Sequence, residues 1–276
     1  MTIRFLLSLI PLLAWSVSPP LARAFAADLR IAGRAAVLMD SRTGTVLWQR
    51  KPNLSLAPAS TTKILTALVV LERRDASALA TVPLEATKAT GGTARLRAGE
   101  RLSVEQLLYG MLLGSANDAA IALARDTAGS VARFVNLMNG KARSLGAQRS
   151  RFLNPTGLPQ KGQLTTALDL AVLSRAALAD PRFRKIVGTK SYPWQSAGWQ
   201  GKLTNSNRLL EVYPGAIGVK TGETREAGFC LVAAAARGEA SFIAVILNST
   251  EASVWSDAAT LLDYGFATGT SGKNPS

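Results

Sequence analysis

The hydrophobic period of this chain changes twice, from strand-like to helical near Pro58 and back to strand-like after Tyr192, and that order restricts the folds open to it. Ala35–Asp40 and Thr45–Arg50 are apolar-rich segments joined by Ser41-Arg42-Thr43-Gly44, which reads as a β-hairpin. Pro58 then precedes a helix whose expected apolar face is Ile64, Leu65, Leu68, Val69 and Leu71. Ser103-Val104-Glu105-Gln106 is a capping box opening a helix through Leu113. Gly114-Ser115 interrupts it, a second helix covers Asn117 to Asp126, and further helical patterns cover Ser130–Leu145 and Thr166–Leu178. Three short β-type runs follow, Ala216–Lys220, Gly228–Ala236 and Ser241–Leu247, and a helix over Trp255–Phe266 closes the pattern. Hairpin, helices, strands and a closing helix make an α+β domain with an antiparallel sheet and helices packed against it.

A length of 276 residues suits one large domain, or one domain with appendages. Arg4, the apolar run Phe5 to Val17 and the breaker Pro19-Pro20 form the three parts of a signal peptide. Ala22-Arg23-Ala24 and Ala24-Phe25-Ala26 are small-x-small sites, so cleavage is expected after residue 24 or 26. The run is too short for the ~20 residues of a spanning helix. The expected division is a signal segment at 1–24, a catalytic-size domain at 27–268 and a disordered tail at 269–276. No basic amphipathic terminal helix is present to anchor the chain, so a soluble exported monomer is expected, in the periplasm or cell wall.

Removing residues 1–24 takes away Arg4 and Arg23 and no acid, which brings the formal charge from +14 to +12. A basic exported chain meets anionic wall polymers, lipid headgroups or carboxylate-bearing substrates, and export argues against nucleic acid. Cys230 is the only cysteine, which excludes an internal disulfide, and its run Phe229-Cys230-Leu231-Val232 suits a buried small hydrophobe.

The chain has no histidine, which excludes a Ser-His-Asp triad and a histidine-built metal site. No metal or cofactor is called for. Another base must therefore serve any nucleophilic serine, and Ser60-Thr61-Thr62-Lys63 offers one. Residues three apart share a helix face, and a lysine in the first turn sits at the wrong end of the helix dipole, which favours the neutral amine. Ser115-Ala116-Asn117 falls at the break between two helices, where its polar groups either face a cleft or cap the second helix. Lys220-Thr221-Gly222 ends a strand, where glycine admits a substrate backbone and the other two residues can bind a carboxylate.

These three motifs, in this order, match the penicillin-recognising serine acyl-transferases and hydrolases. With Leu56-Ala57-Pro58-Ala59, Asn154-Pro155-Thr156-Gly157-Leu158 and Asn207-Arg208-Leu209-Leu210 the chain resembles the D-alanyl-D-alanine carboxypeptidases, the low-molecular-mass penicillin-binding proteins. The likeness runs from Ala35 to Phe266. It implies a β-lactamase/transpeptidase-like fold with a mainly helical subdomain. It further implies that Ser60 attacks the bond between two D-alanines of a peptidoglycan stem peptide, with Lys63 taking its proton. Ser115 and Asn117 would relay protons and hold the substrate amide. Lys220 and Thr221 would bind the terminal carboxylate beside Gly222, and the N–H groups of Ser60 and Glu223 would form the oxyanion hole. β-Lactams would be covalent inhibitors.

Two positions depart from the likeness. Glu223 stands where similar proteins often carry an aromatic residue or histidine, and its charge should weaken anion binding unless it points away or pairs with Arg225. Trp255 stands where similar proteins often place a carboxylate-holding arginine. A class A β-lactamase is excluded, because it needs a deacylating glutamate and no acidic residue lies between Asp126 and Asp169. Two alternatives stand beside the carboxypeptidase: a D,D-endopeptidase cutting peptide cross-links with the same machinery, and a non-catalytic wall-binding or β-lactam-sensing module.

Overall fold

The computed structural model describes residues 29–269, so the signal-like segment and nearly all of the expected tail lie outside the described residues. Strands β1 (Ala35–Asp40) and β2 (Val46–Arg50) form the expected hairpin. Asp40 Oδ1 accepts from the N–H groups of Arg42 and Thr43, and Gly44 supplies the positive φ of +80° that the turn needs. A 3₁₀ turn (Ala59–Thr62) leads into α1 (Lys63–Arg73), followed by β3 (Leu79–Thr81), β4 (Arg101–Ser103), α2 (Val104–Leu113), α3 (Asn117–Ala128) and α4 (Val131–Ser144). Next come α5 (Ala167–Ala179), α6 (Pro181–Gly188), the hairpin β5 (Ser191–Gln195) and β6 (Gln200–Thr204), and the one-turn helix α7 (Leu209–Val212). Last among the described residues come β7 (Ala216–Thr224), β8 (Gly228–Arg237), β9 (Ala240–Ser249) and α8 (Val254–Thr268).

The main sheet is antiparallel, in the order β2-β1-β9-β8-β7, so the first and last strands of the described residues pair within it. Both of its faces are covered. Ala35, Val37, Met39, Val232, Ile243 and Val245 point into the core shared with α1 to α6. Ala36, Leu38, Leu231, Phe242 and Ile246 point into a second core under α8. That is why these strands read as unbroken apolar runs rather than alternating ones. Full burial of a side chain such as Phe242, which meets Phe266 edge-on at 5.0 Å, contributes about 1.5–3 kcal/mol.

The structure departs from the sequence reading at several elements. Helix α1 is buried on every side from Lys63 to Leu71, because α5, α3 and α4 surround it, so it has no solvent face. The capping box is half made: Ser103 Oγ accepts from Gln106 N–H at 3.1 Å, but the Gln106 amide donates to the Gln195 carbonyl across the domain. The β3-β4 ladder, α6 and the β5-β6 hairpin carried too weak a local pattern to be read. The last hairpin is held by side chains from elsewhere. Tyr192 stacks on Tyr109 with ring centroids 3.8 Å apart, and Trp194 lies over Gly110, where an added Cβ would sit 2.9 Å from the indole.

Candidate active site

The site forms where the edge strand β7 meets the 3₁₀ turn before α1. Ala59 has φ +47°, which turns the chain sharply after Pro58 and sets Ser60 at the mouth of a cleft of about 350 Å³. Ser60 and Lys63 lie across that turn, not within the α-helix, which begins at Lys63 itself. In a 3₁₀ turn residues three apart eclipse, so the expected neighbour relation holds by a tighter geometry.

Lys63 is wholly buried, and its Nζ lies 2.9 Å from Ser60 Oγ, 2.7 Å from Asn117 Oδ1 and 2.6 Å from the Thr156 carbonyl. The last two can only accept, so they use two N–H bonds and leave the third direction of the amine to Ser60. Burial holds Lys63 well below the ordinary lysine pKa, the charge of Lys220 adds to this, and Asp118 opposes it. Desolvation is thus the largest cause, ahead of the Lys220 charge.

The second motif sits on the opposite wall. Ser115 takes φ +56° and faces the cleft, and the N-cap of α3 is Ala116, which has no capping side chain. The capping alternative for Ser115 therefore falls. Asn117 is fixed at three points: Oδ1 by Lys63, Nδ2 by donation to the Thr90 carbonyl at 2.7 Å, and its backbone N–H by donation to Gly92 O at 2.7 Å. The carboxylate of buried Asp118 accepts from Ala94 and Leu96 N–H, at 2.9 Å and 3.1 Å. The loop lining the cleft is thereby tied to the first turn of α3.

Lys220-Thr221-Gly222 lies inside β7, not at its end, since the ladder with β8 continues through Thr224. Alternation along the strand turns Lys220 and Gly222 inward and Thr221 and Glu223 towards the opening. At Gly222 an added Cβ would stand 2.8 Å from Ser60 N and 3.0 Å from Thr61 N, so only glycine lets the strand approach this closely. Lys220 is 1% exposed, and burial pushes its pKa down to about 7. Thr221 Oγ1 and Ser206 Oγ share a hydrogen bond of 2.6 Å.

The departures resolve into a new arrangement. Glu223 is exposed and forms no pair with Arg225. Trp255 lies under Arg208, whose guanidinium carbon is 5.6 Å from the ring centroid, and Arg208 also stands 3.9 Å from Glu251. The cleft thus has a guanidinium, delivered from α7's N-cap. Cys230 is buried as expected, and its thiol pKa is pushed up to about 11 by desolvation.

The sequence reading gave no role to the Asn154-Pro155-Thr156-Gly157 segment, whose contribution is through its backbone. Asn154 Oδ1 accepts from Thr156 N–H and Gly157 N–H and so shapes the turn that aims the Thr156 carbonyl at Lys63. Gly157 has φ +86°, and a Cβ there would fall 1.8 Å from Ala59 O. Among the described residues no cluster of acids and cysteine could hold a metal ion.

A family model for D-alanyl-D-alanine carboxypeptidases matches residues 22–251. The chain is 36% identical over 247 residues to D-alanyl-D-alanine carboxypeptidase DacF of Bacillus subtilis, covering 87% of this chain and 64% of the relative. It is 38% identical over 237 residues to DacB2 of Mycobacterium tuberculosis, covering 84% and 81%. The solved structure of the Streptomyces K15 DD-transpeptidase superposes with a TM-score of 0.82 at 35% identity, covering 87% of this chain and 98% of that one. The chain belongs to the D-alanyl-D-alanine carboxypeptidase family, with the penicillin-binding serine-enzyme fold.

Proposed function

We propose that this protein removes the terminal D-alanine from peptidoglycan stem peptides through an acyl-enzyme on Ser60. The contact between Lys63 Nζ and Ser60 Oγ carries the reading, because burial makes Lys63 a base and its other two bonds leave a lone pair for the hydroxyl proton. Ser60 Oγ attacks the carbonyl before the last residue while its proton passes to Lys63. The amide C–N bond then breaks as the leaving nitrogen gains a proton through Lys63 and Ser115. Water hydrolyses the ester and restores Ser60.

The N–H groups of Ser60 and Glu223 stabilise the oxyanion, a role commonly worth about 3 kcal/mol per donor. The close approach at Gly222 supports that pairing. Asn117 orients Lys63 and the substrate amide, and Lys220 and Thr221 hold the terminal carboxylate. Residues 27–268 carry this activity, and β-lactams acylate the same serine. The signal-like N-terminus directs export to the periplasm or wall, and among the described residues no helix is long and apolar enough to cross a membrane.

Fluorescent penicillin should label the purified protein covalently, and a stem pentapeptide should lose one D-alanine by mass. Ser60→Ala should abolish both. Label persisting on the alanine variant, or a wild-type protein inert towards both reagents, overturns the assignment. Cleavage of a cross-linked muropeptide dimer in preference to the pentapeptide would select the endopeptidase, and binding without turnover the sensing module.

A further inference from the structure

We infer that the exposed carboxylate of Glu223 is a specificity-determining group that weakens the hold on a free C-terminal carboxylate and so narrows the enzyme's preference for such a donor over its uncharged carboxamide. The inference rests on the proposed acyl-transfer function and deepens it. Glu223 follows Thr221 by two positions on the same face of β7, which puts their Cα atoms about 6.6 Å apart. A carboxylate on the Thr221 hydroxyl would therefore lie within one Debye length of Glu223 at physiological salt. No ion pair or hydrogen bond among the described residues neutralises Glu223. The cation that opens on the same cleft, Arg208, is shared with Glu251 at 3.9 Å and rests on Trp255. Lys220, which would hold the substrate's carboxylate from beneath the strand, is buried and desolvation draws down its charge, so it offsets Glu223 only in part. The open part of the cleft thus sets two carboxylates against one guanidinium, beside the place where the substrate's own carboxylate must sit. A C-terminal carboxamide meets no such repulsion.

The test uses the intact mature protein and two donors that differ in one group, a stem-peptide mimic ending in D-Ala-D-Ala and the same peptide as its C-terminal carboxamide. The readout is the ratio of kcat/KM for acid over amide. Glu223→Gln keeps the side-chain shape and backbone N–H, and should raise that ratio by about three- to tenfold at low ionic strength. The gain should shrink towards unity near 1 M salt, where the Debye length is about 3 Å. Glu251→Gln, which frees Arg208, should move the ratio the same way by a smaller factor. An unchanged ratio in both variants of an active enzyme overturns this inference alone. A wild type that cleaves neither donor and takes no penicillin label overturns the function beneath it as well.

Discussion

Replacing Lys220 by methionine should make the protein more stable while removing its activity towards carboxylate-ended donors. Lys220 is 1% exposed, and its Nζ has one short hydrogen bond, to the Thr221 carbonyl at 3.0 Å. Burial draws its pKa from 10.5 to about 7. Each unit is worth 1.36 kcal/mol, so the amine costs about 4–5 kcal/mol of folding free energy at and below neutral pH. Methionine keeps the length of the stem and loses one hydrogen bond of about 1 kcal/mol, leaving a net gain of about 3 kcal/mol. For a domain of this size that corresponds to a rise in Tm of about 6–12 °C. The sign with pH follows from proton counting. Between about 7 and 10.5 the unfolded chain carries the proton on Lys220 and the folded chain does not. Wild-type stability therefore rises with pH across that window, relative to the variant, by up to 1.36 kcal/mol per unit. Urea unfolding of both proteins at pH 7, 8.5 and 10 measures the difference, and the other titrating groups cancel between them. A variant no more stable than wild type at pH 7, or an advantage that fails to shrink as pH rises, refutes the argument. A residue whose removal stabilises the fold is one kept for its chemistry.

Lys63→Arg should slow penicillin acylation by about two to four orders of magnitude, since arginine cannot deprotonate to act as a base; stopped-flow acylation near normal rates would contradict this. In the wild type, acylation should fall as pH drops through the depressed pKa of Lys63 and, for carboxylate-ended donors, fall again as pH rises past about 7 and Lys220 loses its charge. The two limbs belong to the coupled lysine pair, and a carboxamide donor should lack the alkaline one. Gly222→Ala should push β7 off the 3₁₀ turn, because the new Cβ would lie 2.8 Å from Ser60 N; acylation should drop by about 10²-fold or more with circular dichroism unchanged. Gly157→Ala combines φ +86° with a Cβ 1.8 Å from Ala59 O, and should destabilise by about 2–4 kcal/mol; a Tm within about 2 °C of wild type would show that the turn can yield.

Much of this molecule was legible in its sequence because the signals were local. The hairpin at Ala35–Arg50, the three long strands and α2 to α5 follow from hydrophobic period and turn residues, with ends within a few positions of those observed. The absence of histidine together with Ser60-x-x-Lys63 points from sequence alone to the lysine base on which the proposed mechanism rests. Where the reading slipped, a distant partner decided the outcome. The β5-β6 hairpin exists because Tyr109 and Gly110 on α2 receive Tyr192 and Trp194, and nothing within Ser191–Thr204 announces that. Lys63 reads in sequence as one end of an amphipathic helix, but α1 is surrounded, and the resulting desolvation is the largest cause of the amine's lowered pKa. For Glu223 the sequence leaves two outcomes open, pointing away or pairing with Arg225; the side chain is exposed and unpaired, and the cleft's guanidinium comes from Arg208, which rests on Trp255 beside Glu251. Sequence determined which groups were available and how the strongly patterned segments would fold. Tertiary packing decided which of them lost water and which atoms came within 3 Å of one another, and those two quantities set the basicity and reach of Lys63.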